Sequence, residues 1–487
     1  MRDQRPARSV AVVGGGIAGL AAAHRLIELA PASHVRLFER SARLGGVIET
    51  VHEQGFQVEL SADNFITTVP HAIDLCRRLG LADQLVQTDA AFRQTYVVRR
   101  GRLHKLPDGF LMMAPTRMWP LALTPLLSPW GKLRAGLEYF LPPRRGDDDE
   151  SMASFATRRL GREAFERLVE PLVGAVYAGD VERLSVNATL ARFRDMEREH
   201  GSLIRAMRRQ MAMRRQMAAR QKSSRGTESQ SGARYSMFVT LRDGLVSLVD
   251  SLAARLPQGS ARLDTRVDRI EPVQGGQWRV HAGATEETFD AIIIATPSYV
   301  SGELLGPLDS DLGRLLGQIE HSGTAIVSLG FEESQIGHAL AGAGAVVGKT
   351  ENSPILAVSF SSRKYGHRAP EGKTALRVFV GGARAPEMAE MEDGRLVEIV
   401  LNEISGLLKI SGEPIYTRVA HWPRTMPQYY VGHRQLVATI EERASRFAGL
   451  QLAGNAYHGV GIPDCIGGGE RAAQRALAGA DAASRSS

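Results

Sequence analysis

Val10 to Leu26 reads VAVVGGGIAGLAAAHRL, a stretch that leaves the chain little conformational choice. Four apolar residues run into Gly14, Gly15 and Gly16, and an alanine-rich helical pattern follows Gly19. The spacing predicts a strand over Ser9 to Val13, a tight turn and a helix over Ala18 to Leu29, after which HVRLFE supplies a second strand ending at Glu39. In such a βαβ unit the first glycine of G-x-G-x-x-G (Gly14) permits the turn. The second (Gly16) lets backbone approach a pyrophosphate, and the third (Gly19) lets helix and strand pack closely. The amides of Ile17 and Ala18 open the helix, whose dipole faces the phosphates. Glu39 follows Gly19 by 20 residues, where a carboxylate meets ribose hydroxyls and disfavours a 2′-phosphate.

A second glycine turn comes at once. RSARLGGVIET places Arg40, Arg43, Gly45 and Gly46 beside the same nucleotide, completing E-x-x-x-R-x-G-G from Glu39. That arrangement resembles the large FAD-dependent oxidoreductases of the amine oxidase superfamily, and simple nicotinamide dehydrogenases lack it, so the resemblance implies FAD. Near the other end, GNAYHGVGIPDCIGGG runs from Gly454 through Val460, Gly461 and Ile462 into a helix with Pro463 in its first turn. In a flavoenzyme of this type, such a helix start lies against the pyrimidine edge of the isoalloxazine. Its dipole then stabilises negative charge on the reduced ring.

At 487 residues the chain is long enough for two or three cores, and 43% hydrophobic with 23% charged residues is ordinary for a globular protein. Cys76 and Cys465 are its only cysteines, which excludes a disulfide framework and suits a reducing cytoplasm. The net charge of +7 is local: Arg205, Arg208, Arg209, Arg214, Arg215, Arg220, Lys222 and Arg225 occur without an acidic residue between them, and removing them leaves −1. That segment reads as a solvated helix followed by a mobile loop, or as a contact for acidic lipid headgroups. Nucleic acid is disfavoured because no aromatic residues interleave with the charges. The apolar run MWPLALTPLLSPWG is too short to span a bilayer and carries three prolines, and the N-terminus shows no signal peptide. We find no metal-ligand cluster, nucleophilic triad or repeat.

The order of elements predicts an α/β fold, α+β overall. A discontinuous Rossmann-like FAD-binding domain takes residues 1–92, 233–300 and 436–487. A helical, membrane-associating segment takes 93–208, a basic mobile loop 209–232, and a mixed-sheet substrate domain 301–435. Ser151 reads as the cap of the helix beginning MASFATRRLG.

Beyond these glycines the chain resembles the oxygen-dependent, FAD-containing protoporphyrinogen and coproporphyrinogen oxidases of haem biosynthesis. The likeness runs through Glu150 to Phe193, EREHGSLIRAM, LRDGLVSLVDSLAARL, RVAHWPRTMPQYYVGH and LAGNAYHGVGIPDCI; YAGD, WPRTMPQY and GVGIPDCI are its most discriminating parts. It implies six-electron oxidation of a porphyrinogen by molecular oxygen in three two-electron rounds, with hydrogen peroxide released. It implies cofactor contacts at Gly14 to Gly19, Glu39, the turn Ser61, Ala62, Asp63 and Asn64, Val267 through its backbone, Trp422, and Val460 to Ile462. Trp422 also reads as a plain core aromatic. A backbone carbonyl at Gly174 or Ala175 would lie near the reacting meso carbon. The family usually has Gly-Pro where this chain has Ser61 and Ala62, and glycine where it has Ala175.

Substrate propionates need cations, and Arg363, Lys364, Arg368 and Arg424 are the candidates. His458 is the one histidine beside the flavin loop, and a plain loop role competes there. The resemblance admits a cytoplasmic enzyme peripheral to the inner face of the cell membrane, a homodimer, and hand-off of product to a ferrochelatase. Rival readings are an amine oxidase or polyene desaturase of the same superfamily, and a noncatalytic flavin-binding membrane protein.

Overall fold

The computed structural model describes residues 7–223 and 237–483. Its nucleotide-binding sheet has five parallel strands in the order Ala261–Arg262, His34–Phe38, Ser9–Val13, Ala291–Ile294 and Leu450–Leu452. These pieces lie far apart in sequence, so the sheet forms only when three stretches of chain return to it. Ser9–Val13 sits at its centre, with Val10, Ala11 and Val12 fully buried, because parallel sheets are covered on both faces. Val10 and Val12 face the helices Ile17–Leu29 and Ile462–Ala483, whereas Ala11 and Val13 face a cluster holding Ile270, Trp278, Leu305 and Leu312. The alanines of the first helix let the last one approach closely. A Cβ on Gly469 would lie 2.1 Å from the Ala18 carbonyl oxygen.

A seven-stranded sheet carries the second layer, in the order Tyr416–Pro427, His321–Glu332, Lys373–Gly381, Ile355–Phe360, Gly344–Val347, Thr95–Arg99 and Arg102–Lys105. One face packs on helix Asp393–Leu408 through Leu396, Val400, Ile404 and Leu408. The register pairs Ser328 with Arg377 and Arg377 with Ser359, so these three share the other face. Thr95 to Lys105, expected in the helical segment, are thus strands of this sheet.

The helical segment holds Met118–Leu123, Pro129–Gly136, Met152–Leu160, Glu170–Tyr177, Ala191–His200 and Leu203–Ser223. Ser128 and Ser151 cap two of them, accepting from Gly131 N at 3.0 Å and Ser154 N at 3.2 Å. The expected loop from 209 is helical as far as Ser223, and its remainder to 232 lies outside the described residues. The long helix also contains a tandem AMRRQM, Ala206 to Met217, a short repeat that the reading of the sequence overlooks. Trp119, Leu123, Trp130 and Phe140 are between 73% and 79% exposed, an apolar surface beyond what scattered exposed residues produce. A groove of about 540 Å³ runs between Thr116 to Pro120 and the long helix at Arg208, Met211 and Ala212. Among the described residues no helix is long and apolar enough to cross a membrane.

Candidate active site

The first glycine turn sits at the C-terminal end of the central strand. Gly14 adopts φ +106°, and a Cβ there would lie 2.8 Å from the Ala295 carbonyl oxygen. At Gly19 the same substitution would place Cβ 1.9 Å from the Gly14 carbonyl oxygen, so only glycine lets the helix close onto the turn. Gly16 differs. It opens the helix without a side-chain cap, and a Cβ there would meet no atom of the described residues within 4 Å. Bare backbone at a helix N-terminus beside open space fits a pyrophosphate.

Glu39 is buried; its Oε2 accepts from Gly15 N at 2.7 Å and its Oε1 from Ser41 N at 2.8 Å and Ser41 Oγ at 2.5 Å. A carboxylate offers about four acceptor sites, so capacity remains for a ribose hydroxyl. The second glycine turn lies directly on the first: Gly45 N donates to Gly15 O at 2.8 Å, and a Cβ on Gly46 would come within 3.1 Å of Gly16 Cα. Arg43 braces that turn by donating to Ile48 O at 3.0 Å and Gly46 O at 2.7 Å while pairing with Glu49 at 2.6 Å. Arg40 is exposed. Val267 packs with Val13 and Phe38, two residues beyond Thr265, whose N–H donates to Glu39 O.

The third glycine stretch reaches the same edge of the sheet. Ala453 N donates to Ile294 O at 2.9 Å, and Gly454 (φ +127°) turns the chain next to Thr296. Gly459 N donates to the Tyr429 hydroxyl at 2.9 Å, and that hydroxyl donates to Asn455 O at 2.5 Å. Three glycine turns from both chain ends therefore gather along the C-terminal edge of one parallel sheet, where open α/β sheets bind ligands. His458 instead pairs with Glu441 at 2.7 Å on the surface, and Cys76 and Cys465 are buried free thiols.

His433 stacks on Tyr429 with ring centroids 3.9 Å apart, and burial pushes its imidazole down to about 4. The unfolded chain takes up a proton near pH 6.5 that the folded chain refuses. Stability from this site is therefore full above pH 6.5 and is lost as pH falls towards 4, by about 3 kcal/mol in all. We expect His433→Phe to flatten the acid limb of the stability profile, read by urea unfolding between pH 7 and 4.5.

The turn Ser61 to Asn64 is held from behind by the seven-stranded sheet. Trp422 Nε1 donates to Leu60 O at 2.6 Å, Arg377 Nη2 donates to Ser61 O, and Arg368 Nη2 donates to Asp63 O at 2.8 Å. Lys364 Nζ donates to Asp63 Oδ2 at 2.6 Å, and Arg368 lies 3.5 Å from Glu59, both side chains fully buried. Burial alone would raise the Asp63 carboxyl, but Lys364, Arg377 and Arg368 hold it well below the usual carboxylate range. Burial raises Glu59, against the pull of Arg368. Lys364 and Arg368, read as propionate partners, thus have their charge engaged by carboxylates of the chain itself. Arg363 pairs with Glu333 at 3.0 Å. Arg424 is exposed over the Tyr299 ring at 4.1 Å, and no carboxylate among the described residues engages it. Arg377 escaped the reading of the sequence. Its signal was a charge at an inward position of the apolar run TALRVFV.

Gly174 is buried, and a Cβ there would meet Arg384 Nη2 at 2.9 Å, where Arg384 pairs with Glu170. Ala175 is half-buried in the last helical turn before Ala178, which adopts φ +47°. Ala175, Ala357 and Val460 each pack against the same apolar cluster, which thus borders the helix, the seven-stranded sheet and the C-terminal glycine loop.

The family model for flavin-containing amine oxidoreductases matches residues 17–477. The chain is 34% identical to the coproporphyrinogen III oxidase of Bacillus subtilis (strain 168), over 96% of this chain and 98% of that one. It is 36% identical to the coproporphyrinogen III oxidase of Propionibacterium freudenreichii subsp. freudenreichii, over 98% and 92%. A solved structure from Exiguobacterium sp. 255-15 superposes with a TM-score of 0.84 at 29% identity, covering 97% of this chain and 99% of that one. The chain belongs to the flavin-containing amine oxidoreductase family, and FAD is its cofactor.

Proposed function

We propose that this chain oxidises a porphyrinogen, coproporphyrinogen III foremost, to the porphyrin in haem biosynthesis, with oxygen as acceptor. The observation that carries this reading is identity of 34% and 36% to two coproporphyrinogen III oxidases over at least 92% of either partner. The macrocycle loses six electrons and six protons. Bound FAD supplies two-electron acceptance and return to oxygen, so three rounds consume three O₂ and release three H₂O₂. Gly14 to Gly19, Glu39, Gly45 and Gly46 hold the dinucleotide, with Val267 at its adenine end and the turn Ser61 to Asn64, Trp422 and Val460 to Ile462 at its flavin end, beside the isoalloxazine. Ala175, Ala357 and Val460 give the macrocycle an apolar wall that excludes water. The Ala175 carbonyl lies in a final helical turn, where no backbone donor follows it, and is free to accept from the substrate. Arg424 is the cation left for a propionate.

Anaerobic mixing of the yellow protein with each porphyrinogen tests the reading. Flavin absorbance should bleach, porphyrin fluorescence should appear once air is admitted, and coproporphyrinogen III should react at least tenfold faster than protoporphyrinogen IX. Bleaching by an amine and by neither porphyrinogen overturns it.

The same reading takes Trp119, Leu123, Trp130 and Phe140, with Arg208 lining the groove beside Trp119, as a peripheral contact with an anionic bilayer. Trp119→Ser with Trp130→Ser should lower partitioning onto phosphatidylglycerol vesicles at least tenfold in flotation assays while leaving the flavin spectrum unchanged. A homodimer and hand-off of product to a ferrochelatase complete the reading; sedimentation of the enzyme alone and with a ferrochelatase tests both.

A further inference from the structure

Among the described residues the backbone N–H groups of Ser61, Ala62, Asp63 and Asn64 find no hydrogen-bond acceptor, and the buried Ser61 Oγ finds no partner. Their carbonyls are another matter. Those of Leu60, Ser61 and Asp63 are each gripped by a side chain, Trp422 and Arg377 from the opposing sheet and Arg368 from the short helical turn Gly366–Arg368 between two of its strands. In a trans peptide the C=O and N–H point in opposite directions, and no peptide bond among the described residues is cis. Pinning those three carbonyls towards the sheet therefore turns the N–H groups of Ser61, Ala62 and Asn64 away from it. The grip comes from a rigid source. Arg377 is 2% exposed and Arg368 fully buried, and three cations (Lys364, Arg368, Arg377) face two carboxylates (Glu59, Asp63), leaving an excess positive charge behind the turn.

We infer that Arg377 and Arg368 are positioning residues that aim the Ser61, Ala62 and Asn64 amides as hydrogen-bond donors at an electron-rich edge of the flavin, favouring its reduced state. The inference rests on the proposed placement of this turn beside the isoalloxazine. Donors preorganised where negative charge accumulates stabilise the charged form more than the neutral one. The Ser61-Ala62 sequence matters here, because proline at 62 would remove one of these donors outright.

The test is the midpoint potential of the bound flavin, measured spectroelectrochemically on the FAD-loaded protein. Ala62→Pro and Arg377→Met should each shift the reduced-to-oxidised ratio about tenfold towards oxidised, a drop of about 30 mV for a two-electron couple. Arg377→Lys, which keeps a cationic donor, should recover at least half of the drop. A potential unmoved by Ala62→Pro overturns the donor role, and one unmoved by Arg377→Met, or unrestored by Arg377→Lys, overturns the positioning role. Should Arg377→Met fail to fold, Arg377→Gln takes its place: it loses the cation, should lower the potential in the same direction, and an unmoved potential overturns the positioning role. A yellow wild type that porphyrinogen bleaches, with unchanged potentials in the variants, sinks this inference alone; a wild type that takes up no FAD sinks the cofactor placement instead.

Discussion

Gly16→Ala should yield a protein that folds and stays colourless. The added methyl meets no atom of the described residues within 4 Å, and the backbone of Gly16 (φ −68°, ψ 175°) is ordinary for alanine. Alanine is a poorer helix cap than glycine, which costs the apoprotein about 1 kcal/mol at most. The methyl does, however, stand on the backbone that a pyrophosphate must approach. FAD affinity should fall at least 100-fold by fluorescence titration, while the melting temperature of the apoprotein moves by only a few degrees. Gly19→Ala makes the contrast. Its Cβ would lie 1.9 Å from the Gly14 carbonyl oxygen, so helix and turn must separate with or without cofactor. The apoprotein itself should lose about 3 kcal/mol, the scale of a severe overpacking change. Unimpaired FAD binding by Gly16→Ala would remove the pyrophosphate from this turn.

The βαβ unit was legible because its signals are local. Strand Ser9–Val13 and Leu29 as the end of the helix match their predicted positions, and the helix begins at Ile17, one residue early. The mixed sheet expected within 301–435 likewise appears as the adjacent strands His321–Glu332, Lys373–Gly381 and Ile355–Phe360, whose nearly continuous burial matches short apolar runs. Thr95–Arg99 was read into the wrong segment because its parallel partner, Gly344–Val347, lies about 250 residues away, and nothing in five residues announces such a pairing. The site divides in the same way. Glycines advertise backbone geometry, so Gly14, Gly16, Gly19, Gly45 and Gly46 could be read directly. Arginines advertise only charge. Arg368 and Arg424 look alike in sequence, yet one is fully buried against Glu59 and Asp63 and the other is exposed over a tyrosine. Which arginine is free for a substrate is decided by tertiary partners.

Glu138→Gln should be among the most destabilising single changes in the chain. Glu138 is fully buried and takes Arg159 Nε at 2.9 Å, Ser202 Oγ at 2.6 Å, Leu203 N at 2.8 Å and Ile204 N at 3.1 Å. One carboxylate thus neutralises a fully buried guanidinium and terminates the long helix Leu203–Ser223 at its positive end. Arg159 also reaches Gly201 O at 3.0 Å, and Glu197 beside it binds Arg158 and Arg194. Glutamine keeps the shape but removes the nearer of the two carboxylates on Arg159, leaving only Glu197 at 3.5 Å, which Arg158 and Arg194 already share, a loss of about 3 kcal/mol. Glu138→Met with Arg159→Met should cost less than the two single changes added, because neither charge is then left alone. Urea unfolding gives the magnitudes. Hydrogen exchange should locate the loss in the elements this network joins, which carry Trp130 and Phe140 on their outer face, so binding to anionic vesicles should weaken together with stability. FAD affinity should persist, because none of these residues touches the glycine turns. A loss below about 1 kcal/mol would mean that the remaining acceptors around Arg159 suffice to hold its charge.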